Sequence, residues 1–311
     1  RVRFHRPPSA QRDVSQALRR RRARGGPRRS RVRREVSLEG DGTAAATVVV
    51  RVAVVAERGG GVRVVGLLAA SRGQTLARLD TPGAAVGVAI AGNGRQAYVA
   101  DDFGGLSVID LSTLSAARVT ATVATSGYAY GVAATAGGRY VYVAAGQGGL
   151  DIVDLLAAGG PRVARTVALG NYALGVAASA DGRYAFVTNS AGTLQLIDAA
   201  NPATAAVVRT VTLGAAPEGI AVGPAGAALV ACGQAGVKIV SVATPTAAAV
   251  VGSLDTRGRA WGAAFSSDGR RAYVADGSGT VVLDVANPAA PRAIGRLDGA
   301  VGSLGVAVGP G

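Results

Sequence analysis

The chain has 311 residues, 49% of them apolar but only 4% aromatic, with 46 glycines, 12 prolines, one cysteine and one histidine; that is length enough for a large core and glycine enough to need many turns. Its formal charge of +14 is lopsided, because 14 arginines stand against Asp13 and Glu35 in the first 35 residues and the remainder is nearly neutral. Cys232 alone permits neither an internal disulfide nor a structural zinc cluster, and the lone histidine, His5, lies in the arginine-rich stretch, so the remainder holds no Ser-His-Asp or Cys-His catalytic arrangement.

In chain order, residues 1–40 come first as an Arg-rich N-terminal segment expected to be disordered. Arg19 to Arg22 run together, Pro7-Pro8 and Gly25-Gly26-Pro27 break the chain, and no apolar periodicity appears. Such a segment reads as a basic arm for nucleic acid or an anionic surface, as an organelle transit segment, or as a solvated leader. Lys238 is the one lysine, and the arginine bias together with the alanine and glycine excess fits GC-rich coding, so no nucleic-acid partner is expected for the folded part. The absence of methionine implies a processed or truncated chain. The apolar stretch Thr43 to Ala56 is interrupted by Arg51 and falls short of the roughly 18 to 20 residues that span a bilayer, so no transmembrane segment is expected.

A Gly-(Val/Ile/Ala)-Ala step then recurs at Gly87, Gly131, Gly175, Gly219, Gly262 and Gly305, every 43 or 44 residues. Within the unit that starts near Leu174, the apolar run Leu174–Ser179 is followed by an Asp181-Gly-Arg183 turn. Alternating runs Tyr184–Thr188 and Leu194–Asp198 come next, then an Asn201-Pro202 break and Val207–Val211. β-Branched runs bounded by Asp-Gly, Gly-Gly and Asn-Pro are strands, four to the unit. Four strands in about 44 residues are one propeller blade. We therefore expect an all-β domain over 41–311, a six-bladed β-propeller of four-stranded antiparallel blades. Its first blade starts incomplete at Val54–Val65, and the C-terminal strand Leu304–Val308 pairs with it and closes the ring. A rival register takes the first strand from Val36–Leu38 or Ala44–Val50 and leaves that last strand redundant.

These repeats resemble known families. Gly105–Asp110 (Gly-Leu-Ser-Val-Ile-Asp), Gly149–Asp154 (Gly-Leu-Asp-Ile-Val-Asp) and Asp284–Pro291 are similar to the LVIVD-repeat β-propellers, and Asp268-Gly-Arg-Arg-Ala-Tyr-Val274 resembles YVTN-type propeller repeats. The resemblance implies a mostly bacterial, often extracytoplasmic group, mostly without assigned activity. The unit around Gly219 departs from the pattern, with Pro224-Ala-Gly226 in place of Asp-Gly-Arg and Val240-Ser241 in place of Val-Asp.

In such a blade the loop from strand two to three and the link from strand four to the next blade open on one face, around the channel. After strand two the aligned residues are Glu57, Asp101, Ala145, Asn189, Cys232 and Asp276. Glu57, Asp101, Asn189 and Asp276 offer hard oxygen donors of the kind that hold Ca²⁺; the alternative is that each caps the glycine-rich turn that follows it. Cys232 reads as a small buried residue without a general base. On the links, Tyr128, Tyr130, Tyr172, Glu218, Arg257, Arg259 and Trp261 form the richest aromatic and charged set, suited to stacking on a sugar, a peptide or a cation; Tyr128, Tyr130, Tyr172, Glu218, Arg259 and Trp261 are the candidate ligand-binding residues. The plain alternative is that the rings plug the channel top. Function is expected to be non-enzymatic, a monomeric scaffold that needs no cofactor and binds a protein, peptide or glycan partner at the channel mouth. A Ca²⁺-dependent lactonase-like hydrolase is the alternative.

Overall fold

The computed structural model describes residues 52–298 apart from 58, 60 and 68–72. The Arg-rich segment 1–40 and the closing strand expected at 304–308 lie outside the described residues. The described strands form six consecutive antiparallel sheets, each in chain order, and the fold is a six-bladed β-propeller. Blade I holds β1 (Val52–Ala56), β2 (Val62–Gly66) and β3 (Thr75–Leu79). Blade II holds β4 (Gly87–Ile90), β5 (Gln96–Ala100), β6 (Leu106–Asp110) and β7 (Arg118–Val123). Blade III follows with β8 (Gly131–Ala134), β9 (Tyr140–Ala144), β10 (Leu150–Asp154) and β11 (Arg162–Val167). Blade IV has β12 (Ala173–Ala178), β13 (Tyr184–Asn189), β14 (Thr193–Asp198) and β15 (Ala206–Thr212). Blade V has β16 (Ile220–Val222), β17 (Ala227–Ala231), β18 (Val237–Ser241) and β19 (Ala249–Leu254), and blade VI has β20 (Gly262–Phe265), β21 (Arg271–Ala275), β22 (Gly279–Asp284) and β23 (Arg292–Asp298). In blade I the strand that aligns with β4 is not among the described residues.

A sheet with alternating small and branched residues has two apolar faces, and each is covered by the next blade. Val54, Val62 and Val64 of blade I pack with Ala97, Val99 and Ile109 of blade II. Blade III meets blade IV through Tyr142, Leu150 and Ile152 against Ala185, Val187 and Ile197. The centre of the second strand carries the largest of these side chains: Tyr98, Tyr142, Phe186 and Leu229 are all fully buried at one register. Each removes roughly 2 to 3 kcal/mol worth of apolar surface from water. Tyr142 also donates its hydroxyl to the Gly182 carbonyl of the next blade at 2.6 Å, and burial pushes its pKa up to about 12.

Why the glycine recurs is visible at the inner strands. A Cβ on Gly131 would lie 2.9 Å from the Leu174 carbonyl oxygen, on Gly175 2.7 Å from that of Glu218, and on Gly219 2.6 Å from that of Trp261. These are backbone atoms of the neighbouring blade, so no side chain can swing away to make room. The period in the sequence is the imprint of this approach.

The hairpins on the opposite face fold as the Asp-Gly-Arg turns require. Gly182 has φ 71°, and the Asp181 carboxylate accepts from the Arg183 amide at 3.0 Å. Arg183 pairs with Asp198 at 2.7 Å and stacks on Tyr184, 5.0 Å to the ring centre; Arg139 does the same with Asp154 at 2.8 Å and Tyr140 at 5.0 Å. The outer strand of every blade carries a register shift against its partner, a bulge that twists and blunts the exposed edge.

Gly175→Ala is expected to destabilise the fold by about 2 to 3 kcal/mol, because neighbouring backbone must move, whereas Gly137→Ala, with nothing within 4 Å of the new carbon, should stay within about 0.5 kcal/mol; denaturant unfolding of both variants measures the difference. A second expectation concerns acid. The Arg139 hydrogen bond lowers the pKa of Asp154, the Ser179 hydroxyl that of Asp181, and the Arg183 hydrogen bond that of Asp198. Depressed carboxylates stabilise the native state above their unfolded value of about 3.9 and lose that contribution as pH falls through the folded values. The melting temperature should therefore drop below about pH 4, and Asp154→Asn with Asp198→Asn should flatten that limb.

Candidate functional site

The loops from second to third strands and the links between blades meet on one face, and short bridges tie them. Asp102 pairs with Ala129, Gly146 with Ala173 and Gly233 with Ala260, through backbone bonds of 2.9 to 3.1 Å. At the equivalent junction between blades IV and V the link residue is Pro217, which has no amide hydrogen to donate. There the Ser190 amide turns to the Tyr172 carbonyl at 2.9 Å instead.

Beneath these bridges lies the ring of oxygen-bearing residues. Asp101 is fully buried, and its carboxylate accepts from the Thr81 hydroxyl at 2.6 Å, the Gly83 amide at 2.9 Å and the Ser107 hydroxyl at 3.3 Å. Blade III has Ala145 at that position, and the carboxylate comes from the neighbouring strand: Asp151 accepts from the Ser126 amide and hydroxyl at 2.7 and 2.8 Å and from the Thr166 hydroxyl at 2.6 Å. Blade IV uses amides. Asn189 donates to Gln195 at 3.0 Å, and Gln195 donates to the Leu169 carbonyl at 3.4 Å. In blade VI, Asp276 accepts from both terminal nitrogens of Arg296, at 2.8 and 2.9 Å, and from the Ser278 amide at 3.2 Å. Burial opposes the Asp276 charge, but Arg296 and Ser278 together hold its pKa low. Glu57 bridges Arg63 at 2.5 Å and Arg78 at 3.2 Å.

Most of these groups tie down bare connecting backbone that would otherwise leave buried donors unpaired. The structure does not gather Glu57, Asp101, Asn189 and Asp276: they stand on four blades, engaged by local donors. Among the described residues no three of His, Cys, Asp and Glu are placed to hold a metal. Aligned positions reveal that oxygens share a level but not that each is already saturated from its own side. Cys232 is buried, and burial pushes its thiol up to about 11.

The link residues divide into two clusters. Tyr128 and Tyr172 occupy one register on successive links and are exposed, with Tyr130 half-buried between them. The rings of Tyr130 and Tyr172 converge on Gly146, reaching 3.2 and 3.5 Å from where its Cβ would lie. Burial raises the pKa of Tyr130, and the charge of Asp102 adds to it, followed by Tyr172 and Tyr128. Tyr128 also walls a cleft of about 360 Å³ with Phe103, Thr125, Ser126, Gly127 and Gln147. Phe103 did not enter the sequence reading, although it is the one aromatic in any loop from second to third strand. In the other cluster Arg259 donates to Glu218 at 2.8 Å, and its guanidinium lies 4.2 Å from the centre of the Trp261 ring.

Comparison with known families now bears on this arrangement. The LVIVD repeat profile matches residues 82–125 and 265–299, covering all of blade II and most of blade VI. The propeller carries LVIVD repeats. A second profile, that of the cytochrome D1 heme domain, matches residues 116–219 of this LVIVD-repeat chain. That stretch spans blades III and IV, and what the match shares with this chain is the blade architecture.

Solved structures resemble the LVIVD-repeat ring at low identity and show the shared fold. A chain of the mitotic checkpoint complex is 16% identical with a TM-score of 0.68, covering 83% of this chain and 80% of its own. A Desulfotomaculum acetoxidans protein of unknown function is 17% identical, TM-score 0.66, with 80% and 78% covered. A Bacteroides uniformis protein provisionally assigned as a 6-phosphogluconolactonase is 18% identical, TM-score 0.62, with 78% and 80% covered. A search of curated proteins found no match.

Since the Asp101 carboxylate anchors three donors, Asp101→Ala should cost about 2 to 4 kcal/mol by leaving buried donors unpaired. Millimolar Ca²⁺ should leave the melting temperature of the wild type unchanged, which a thermal-shift titration reads directly.

Proposed function

We propose that the chain is a non-enzymatic scaffold that binds a protein, peptide or glycan partner at the face where loops and links gather. One observation carries this reading. The exposed aromatic side chains among the described residues, Phe103 at 69%, Tyr128 at 53% and Tyr172 at 37%, all lie on that face on neighbouring connections. Scattered single apolar residues need no explanation, but a cluster beside a polar cleft is where association removes the most apolar surface from water.

Two further features support it. The links are held by buried carboxylates and amides, so the aromatic groups are presented without large ordering cost on binding. Among the described residues there is no histidine, and Cys232 has its thiol form favoured by burial, so a Ser-His-Asp or Cys-His arrangement is not available there. The calcium-dependent lactonase reading has only the shared fold in its favour. No helix among the described residues is long and apolar enough to cross a membrane.

Screening the full chain against a displayed peptide library and a glycan array should return ligands, and Phe103→Ser with Tyr128→Ser and Tyr172→Ser should weaken them by about tenfold or more. Because all three side chains are exposed, unfolding stability should change by less than about 1 kcal/mol. Ligands retained at full strength by the triple variant would reject this face.

A further inference from the structure

Only two non-glycine residues among those described have positive φ, Asp102 at 50° and Arg257 at 63°, and both lie on the loop and link face. The repeat shows what ordinarily stands there. The same five-residue turn in blades III and V carries Gly146 at φ 54° and Gly233 at φ 56° where blade II carries Asp102. The links that lead into blades IV and V likewise have Gly170 and Gly214, at 76° and 66°, where the link into blade VI has Arg257. Left-handed backbone is free to glycine and costs other residues roughly 1 kcal/mol or more. Aspartate is among the few other residue types that adopt this region, and blade II thus carries a carboxylate where blades III, V and VI carry Gly146, Gly233 and Gly277.

Asp102 lies beside the tyrosine cluster. Asp102 is bridged to Ala129, between Tyr128 and Tyr130, and its charge acts on the Tyr130 hydroxyl. Elsewhere the molecule combines a carboxylate and an aromatic ring with an arginine three times: Arg139 with Asp154 and Tyr140, Arg183 with Asp198 and Tyr184, Arg259 with Glu218 and Trp261. Each guanidinium stacks on the ring and pairs with the acid, the two attractions that suit a planar cation. Asp102 with Tyr128, Tyr130 and Tyr172 has the acid and the rings, and no arginine among the described residues forms an ion pair with it.

We propose that Asp102 and the three tyrosines form a subsite for the guanidinium of an arginine side chain presented by a polypeptide partner. This inference rests on the binding face proposed above and names the chemistry of one of its contacts. The partner's arginine stacks on the tyrosine rings while Asp102 pairs with its charge, completing the arrangement found three times within the chain. A neutral sugar could stack on the rings and donate a hydroxyl to the carboxylate, but only a cation adds the charge attraction seen in the three internal arrangements.

The test observes tyrosine ring signals of the full chain by NMR. Nα-acetyl-arginine amide is the probe, Nα-acetyl-citrulline amide its uncharged isostere, and methyl β-glucoside a neutral sugar. Arginine amide should shift the rings of Tyr128, Tyr130 and Tyr172, and citrulline amide should bind about tenfold more weakly. Asp102→Gly should lower arginine affinity about tenfold while raising the melting temperature by about 2 °C, since it relaxes the backbone. A variant that gains stability cannot lose binding through misfolding. Equal binding of the arginine and citrulline probes, or undiminished binding by Asp102→Gly, overturns the subsite. Glucoside shifting these rings while arginine amide does not would also overturn it, yet leave the binding face standing; the face itself falls only by the library result of the triple serine variant.

Discussion

The distance between neighbouring inner strands is the constraint on which the ring depends. Gly131, Gly175 and Gly219 bring one blade's backbone to within contact of the next blade's carbonyls, and nothing larger than hydrogen fits. With the inner edges so close, the wedge angle follows from what fills the wider outer space, and here that filling is valine, isoleucine, leucine and the aromatic residues on the second strands of blades II, III, IV and VI. Tyr98, Tyr142 and Phe186 act as spacers at mid-blade, and the near absence of tryptophan is consistent with a packing made of many small interdigitating contacts.

The same economy of shape explains the loop and link face. Connections that carry no ladder bonds of their own must find partners for their amides, and buried Asp101, Asp151, Asn189 and Asp276 serve in this way with different chemistry in each blade. Conformation is thus fixed from below, which leaves the upward-pointing residues free to vary. Tyrosine stands at 128 and 172, arginine at 259, and the half-buried partners at 130, 218 and 261 are tyrosine, glutamate and tryptophan. A rigid frame with changing decoration is the arrangement expected of a recognition surface.

Much of this was legible in the chain itself, for a physical reason. Glycine where a neighbour's backbone intrudes, a glycine-containing turn where a hairpin needs φ near 70°, and alternating apolar residues where both sheet faces are covered are local demands that recur from blade to blade, so period alone exposes them. The division of the site residues into two clusters was not legible, because it depends on side chains of different blades meeting across the face. The occupation of the oxygen ring was hidden too: Asp101 and Asp151 lie at different aligned positions and perform one task, a substitution in space that no single column reveals. Phe103 passed unnoticed since its position is a bland turn residue in the other blades, and the meaning of Asp102 emerged only once its backbone angle was set beside those of Gly146 and Gly233.

Pro217 carries a last implication. The bridges at 102 and 129, 146 and 173, and 233 and 260 stitch adjacent blades together along the upper rim, and the seam between blades IV and V lacks its stitch. The tyrosine cluster lies on one side of that seam and the arginine and tryptophan cluster on the other. Among the described junctions that lead into blades III to VI, this seam is the one without its bridge, so that a guest touching both clusters would span it and act as a clasp.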